Sequence, residues 1–198
     1  MSFAIDEAQV AVVGLGLMGG SLAAALSTLG ACRQVVGVAR RRSTLTTALD
    51  LRFIDRGTSD LREGVAEADV VVLATPVRDI VAKIGVIGPM LKPNCLLMDV
   101  GSTKQSICQA MEALPDHVQP LGGHPMCGKE TSGLAMADPA LYRDKVFVLS
   151  PLARTSAKAV DLGKSLALSI GARPLFLDPQ RHDRLVAAIS HLPYLLAV

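Results

Sequence analysis

One histidine stands between glycines and a proline in Leu121-Gly122-Gly123-His124-Pro125-Met126, downstream of a glycine-rich turn, Gly14-Leu15-Gly16-Leu17-Met18-Gly19. Gly122 and Gly123 remove side-chain bulk ahead of the imidazole, and Pro125 stiffens the chain after it. An unperturbed imidazole titrates near about 6.5, which suits it to take a proton near neutral pH. The pattern therefore predicts His124 as a base held in a loop beside a bound dinucleotide. Ser102 closes Asp99-Val100-Gly101-Ser102, a second strand-to-helix turn, and is the other catalytic candidate. Its alternative role is a plain N-cap for the helix from Thr103 to Ala113.

The glycine turn has the context that a dinucleotide needs, with an apolar run before it and a helical pattern after it. Gly14 permits the tight turn, Gly16 lets the backbone approach a pyrophosphate, and Gly19 allows close helix–strand packing. The phosphates would meet N–H groups at the positive end of the helix, so Leu17 and Met18 join the three glycines as cofactor-binding candidates. The second strand runs Val36-Gly37-Val38-Ala39-Arg40-Arg41-Arg42-Ser43-Thr44 and carries no carboxylate where NAD-selective domains place one. Ala39 leaves room for a 2′-phosphate, and Arg40 and Ser43 supply donors to it, so NADP is favoured over NAD. A solvated basic turn is the alternative. Ala74-Thr75-Pro76 follows the strand Val70–Leu73 and falls at the carboxyl edge where such sheets bind ligands, which adds Thr75 and Pro76. Pro76 also suits a simple helix start.

Positioning these groups requires a layered sheet. Val10–Val13, Val35–Val38, Val70–Leu73, Cys95–Met98, Val118–Leu121, Val146–Leu149 and Pro174–Leu177 read as buried strands, nearly continuous in apolar residues. Helical patterns lie between them, the clearest over Met18–Leu29. Alternating strands and helices predict an α/β fold, a Rossmann-like doubly wound and mostly parallel sheet. Residues 1–178 form the dinucleotide-binding domain in this reading. Asp178-Pro179 then opens a long helix, Gln180–Val198, the first element of a truncated all-helical second domain at 179–198. That helix is apolar nearly all round toward its end, so the chain is expected to be a fragment or to take its partner layer from another subunit.

Composition narrows the function. Half of the 198 residues are hydrophobic, 19% are charged and the net charge is +2, which gives no general attraction to nucleic acid or to a membrane surface. Aromatic residues are too few for base-stacking platforms. Cys32, Cys95, Cys108 and Cys127 show no zinc spacing, so no metal is expected and reduced thiols in the cytoplasm fit best. The uncharged run Ala8–Cys32 is broken by glycines and lacks the basic flank of a secretory signal.

Four stretches in order carry a family resemblance: Gly14-Leu15-Gly16-Leu17-Met18-Gly19-Gly20-Ser21, Asp99-Val100-Gly101-Ser102-Thr103-Lys104, Gly122-Gly123-His124-Pro125-Met126-Cys127-Gly128 and Ser190-His191-Leu192-Pro193. Together they resemble the prephenate/arogenate dehydrogenases of tyrosine biosynthesis. The resemblance implies NAD(P)-dependent oxidative decarboxylation of prephenate or arogenate to 4-hydroxyphenylpyruvate or tyrosine. The arginine-bearing second strand is similar to that of the NADP-dependent, arogenate-using members. It further implies His124 as the group that accepts the substrate hydroxyl proton, Ser102 as its partner at that hydroxyl, and His191 as a residue of the substrate pocket. Glu130 matches an acidic residue that gates the pocket, with a solvated loop carboxylate as the alternative. The family's helical second domain supplies dimer contacts and an arginine for the substrate carboxylate. The chain ending at Val198 is thus expected to bind NADP(H), to turn substrate over poorly alone, and to form a homodimer when the full C-terminal domain is present. Two other readings stay open: a β-hydroxyacid-type dehydrogenase, and a non-catalytic NADP-binding module.

Overall fold

The computed structural model describes residues 5–191, with the side chains of Ser190 and His191 outside the description. The elements in chain order are β1 (Gln9–Val13), α1 (Leu17–Thr28), β2 (Gln34–Val38), α2 (Arg42–Asp50), β3 (Arg56–Thr58), α3 (Leu61–Val65), β4 (Val70–Leu73), α4 (Val77–Ile87), β5 (Leu96–Asp99), α5 (Gln105–Met111), β6 (Gln119–Pro125), β7 (Val146–Pro151), α6 (Ala157–Ser169), β8 (Arg173–Phe176) and α7 (Pro179–Val186). The eight strands form one sheet in the order β3-β2-β1-β4-β5-β6-β7-β8. Every neighbouring pair is parallel except β6 and β7. The architecture is the expected Rossmann-like, mostly parallel sheet.

Apolar residues on both faces of each central strand explain the two-sided packing. Along β4, Val70 and Val72 enter the layer that contains Leu22, Leu26, Leu162 and Leu166 of α1 and α6. Val71 and Leu73 enter the opposite layer with Ile80, Ile84, Ile107 and Met111 of α4 and α5. Leu22 and Leu26 are fully buried, and each such burial stabilises the fold by about 1.5–3 kcal/mol. Helix α1 stops where Gly30 turns left-handed at φ 58°, the conformation that ends many helices.

Several expectations need correction. The short strand β3 was not foreseen, because Arg56-Gly57-Thr58 has no apolar run to announce it. The strand expected to end at Leu121 continues to Pro125, so His124 lies in β6, opposite Val148 of β7, rather than in a loop. β6 and β7 are antiparallel because segment 126–145 holds only a short 3-10 turn, Leu134–Met136. A parallel return usually runs through a crossover helix, as α6 provides between β7 and β8, and this segment holds none. The helix expected over Thr103–Ala113 spans Gln105–Met111, and Ser102 is an exposed bend residue rather than its N-cap. The long helix expected from Gln180 is α7, capped by Asp178, followed by a π turn at Ala187–His191. Its continuation over 192–198 lies outside the described residues. Leu185 and Ile189 on this segment are exposed, while His182 and Val186 are buried. No helix among the described residues is long and apolar enough to cross a membrane.

Candidate active site

The site is built at the carboxyl edge of the sheet, where β1, β4, β5 and β6 all end. Gly14 leaves β1 at φ 100°, a left-handed conformation that favours glycine, and its amide donates to the Val38 carbonyl at 2.9 Å. The chain then enters α1 from Gly16 with no side chain capping the helix. First-turn N–H groups have no intrahelical acceptor, and the helix end is electropositive. A Cβ added at Gly16 would meet no atom within 4 Å, so the space over the turn is open to a ligand. These features fit a pyrophosphate.

Beside the turn lies a cavity of about 400 Å³ whose walls include Gly14, Ala39, Arg40, Thr75 and Pro76. Arg41, Thr44, Ser59, Asp79 and Lys83 complete its polar lining. Ser43 is exposed and not part of that wall; Thr44 takes the place expected for it. Lys83 pairs with Asp79 at 2.5 Å. Burial pushes the Asp79 carboxyl up, but Lys83 outweighs it and, with Arg40 adding to the pull, holds the group below its ordinary value. The cavity therefore gathers more cationic than anionic groups, as a phosphorylated ribose requires.

On the reacting side, β5 ends at Asp99, which is fully buried, as is Lys104. The two form an ion pair. Asp99 also accepts the Gly101 amide at 2.7 Å and the Gly123 amide at 3.0 Å. Burial pushes this carboxyl up, against the pull of Lys104 and both amides. One carboxylate thus stitches the strand end before Ser102 to the strand segment before His124. Gly123 is required here because a Cβ would collide with the Asp99 carbonyl oxygen. Sequence reasoning had treated Asp99 as a strand end and Lys104 as part of a motif. Two charged residues bordering the buried run Leu96-Leu97-Met98 were the available signal.

His124 is half-buried, with Nδ1 2.8 Å from Nε2 of His182. The ring centroids are 5.0 Å apart and the planes meet at 73°. His182 is fully buried, and its Nδ1 lies 2.7 Å from Asp183 Oδ1. The Asp183 carboxylate in turn accepts the Lys104 amide at 2.7 Å and the Gln105 amide at 2.9 Å, so α7 caps α5 from a distance. That is the role expected of Ser102. Burial pushes the Asp183 carboxyl up, but the two amides and His182 outweigh it and hold the group below its ordinary value. Sequence reasoning passed over both His182 and Asp183, since nothing local to Gln180-Arg181-His182-Asp183 indicates a partner on β6.

One further candidate falls apart from this cluster. Glu130 is exposed in the segment after β6, where its neighbour Lys129 pairs with Asp138. The His191 side chain lies outside the described residues. Among the described residues no group of three or more histidine, cysteine or acidic side chains could hold a metal. The four cysteines are free, and burial pushes the Cys95 and Cys108 thiols up to about 12.

Residues 22–175 match the family model described as prephenate dehydrogenase, nucleotide-binding domain. The chain is 33% identical over 190 residues to the prephenate dehydrogenase of Bacillus subtilis, covering 95% of this chain and 51% of that relative. It spans about half of that protein's length. Among solved structures it is similar to the Aquifex aeolicus prephenate dehydrogenase in complex with hydroxyphenyl propionate and NAD+, with TM-score 0.88 and 29% identity, covering 100% of this chain and 68% of that one. It is also similar to Synechocystis arogenate dehydrogenase, with TM-score 0.84 and 30% identity over 94% of this chain and 66% of that one.

Proposed function

The chain belongs to the prephenate dehydrogenase family, and from that premise we propose that it carries the cofactor site and the base for NADP-dependent oxidative decarboxylation of arogenate or prephenate. His124 accepts the proton of the ring hydroxyl, and Ser102 shares that contact. The observation that carries this reading is the common edge: the Gly14 turn ends β1, His124 lies near the end of β6, and only β4 and β5 stand between them. Three strand spacings make roughly 14 Å, which leaves room for the nicotinamide half of a dinucleotide and a six-membered ring.

Gly14, Gly16, Leu17, Met18 and Gly19 hold the pyrophosphate in this proposal, while Thr75 and Pro76 wall the nucleotide. NAD+ in the Aquifex relative supports a nicotinamide cofactor. The choice of NADP rests on the carboxylate-free end of β2 and on Arg40, Arg41 and Lys83 in the cavity wall. Bound there, the nicotinamide supplies the acceptor for a hydride from the carbinol carbon as the ring carboxylate leaves as carbon dioxide. The protein's own tasks are to orient the two rings, exclude water and take the hydroxyl proton at His124. His191 lining the substrate pocket and Glu130 gating it belong to the same proposal. So do the division into a dinucleotide-binding domain at 1–178 and a helical unit from 179, a homodimer, and a cytoplasmic location. Family membership displaces the β-hydroxyacid-type alternative.

The test is a side-by-side assay of the full-length protein with arogenate and prephenate, each with NADP and NAD, following reduced-cofactor absorbance. NADPH formation with either substrate is expected. Its absence with all four pairs would leave the non-catalytic cofactor-binding reading. His124→Asn should lower kcat by about 10²–10⁴-fold, the contribution typical of a general base, with cofactor affinity unchanged. An equal loss of cofactor binding would make the histidine structural.

A further inference from the structure

We propose that His182 and Asp183 of α7 are positioning residues that hold His124 in the tautomer able to act as a base, an inference that rests on the proposed proton transfer to His124. Asp183 fixes the first proton. An ionised carboxylate only accepts hydrogen bonds, and this one already accepts two backbone amides, from Lys104 and Gln105. At 2.7 Å from Asp183 Oδ1, His182 Nδ1 must therefore carry the proton. In a neutral His182 the lone pair then sits on Nε2. That nitrogen is 2.8 Å from His124 Nδ1, so His124 must donate from Nδ1. The second lone pair in the chain falls on His124 Nε2. That is the arrangement a general base needs.

The ring geometry agrees with a linear bond. Centroids 5.0 Å apart with planes at 73° place the nitrogen edges toward each other, not the ring faces. The opposite assignment would start from a doubly protonated His182 donating from Nε2, and would leave His124 protonated on Nε2 and unable to accept. It would also put an imidazolium where His182 is fully buried, at a desolvation cost. When His124 Nε2 takes the substrate proton, the positive charge stays on His124, whose Nδ1–H still donates to His182 Nε2.

The chain of contacts also joins elements distant in sequence. Asp183 holds the start of α5, and α5 follows the turn that carries Ser102. α7 thus acts on both proposed catalytic residues, through His124 directly and through the start of α5. His182 and Asp183 lie beyond the segment 22–175 matched by the family model.

Two measurements on the full-length protein decide it. In ¹⁵N-labelled protein, the His124 imidazole should show a proton on Nδ1 and none on Nε2. A neutral His124 carrying its proton on Nε2 overturns the proposal whether or not turnover is ever found, so the two readings fail separately. His182→Phe keeps a ring at this place but removes the Nε2 acceptor, so nothing on α7 then holds the His124 proton on Nδ1. A wrong histidine tautomer in a serine-protease triad lowers kcat by about 10⁴-fold, and we expect a loss of at least about 10²-fold here with KM and cofactor affinity unchanged. A variant that keeps the wild-type kcat, or one that loses KM and kcat together with the His124 tautomer intact, overturns the positioning role.

Discussion

Replacing Lys104 by methionine isolates the buried pair on which both strand ends depend. Methionine fills much of the same volume but removes the ammonium, while Asp99 keeps only its bonds to the Gly101 and Gly123 amides. Neither Asp99 nor Lys104 has solvent access, so no water can replace the lost partner. Breaking a buried pair from one side costs about 3–5 kcal/mol, against a total stability of about 5–15 kcal/mol for a typical domain. For a chain of this size the midpoint of thermal unfolding should fall by about 6–20 °C. Asp99→Asn combined with Lys104→Met removes both charges and retains one acceptor oxygen. One of the two amides then loses its partner, at about 1–3 kcal/mol. The double variant should therefore be more stable than Lys104→Met alone. Urea unfolding of the wild type and both variants measures this. A loss below about 1 kcal/mol in the single variant, or a double variant less stable than the single, would refute the account of a buried charge held by its partner.

Arg40→Asp sets a carboxylate where the 2′-phosphate is proposed to sit. It should weaken NADP(H) binding by at least about tenfold, or about 1.4 kcal/mol, and leave NAD(H) binding unchanged or improved. Fluorescence titration with both cofactors checks it, and an unchanged ratio of affinities removes Arg40 from the assignment. Asp183 gives a pH prediction. Its folded value lies below the ordinary one, so the unfolded chain takes up the proton first. The stabilisation is present above about pH 3.9 and is lost as pH falls through the lower folded value. The Lys104 and Gln105 amide resonances should accordingly shift only below about pH 4. A midpoint above that value would contradict the hydrogen bonding assigned to Asp183.

The sheet was legible in sequence because burial on both faces leaves a local mark. Runs such as Val70–Leu73 and Leu96–Met98 have no polar side to show, and each became a central strand. The glycine turn was equally plain, since the left-handed backbone at Gly14 depends on one residue's own dihedral. Failures came where local signals were weak or absent. Arg56–Thr58 forms an edge strand with little apolar content, and β6 runs past Leu121 only because β7 lies opposite to pair with it. Gly122 and Gly123 were read as clearing space for the imidazole. Gly123 in fact clears space for the backbone of Asp99.

By itself the amino-acid sequence determined the fold class, the glycine turn after β1 and the choice of His124 as the residue to watch. Those properties follow from hydrophobic period, glycine dihedrals and short motifs, all of which act over a few neighbouring residues. Only the tertiary structure decided what His124 touches. Its partner His182, and Asp183 behind that ring, lie 58 and 59 positions further along the chain, and the carboxylate that holds the neighbouring Gly123 amide belongs to β5. A hydrogen bond needs atoms within about 3 Å, and only the folded sheet with α7 laid across its edge brings these groups that close.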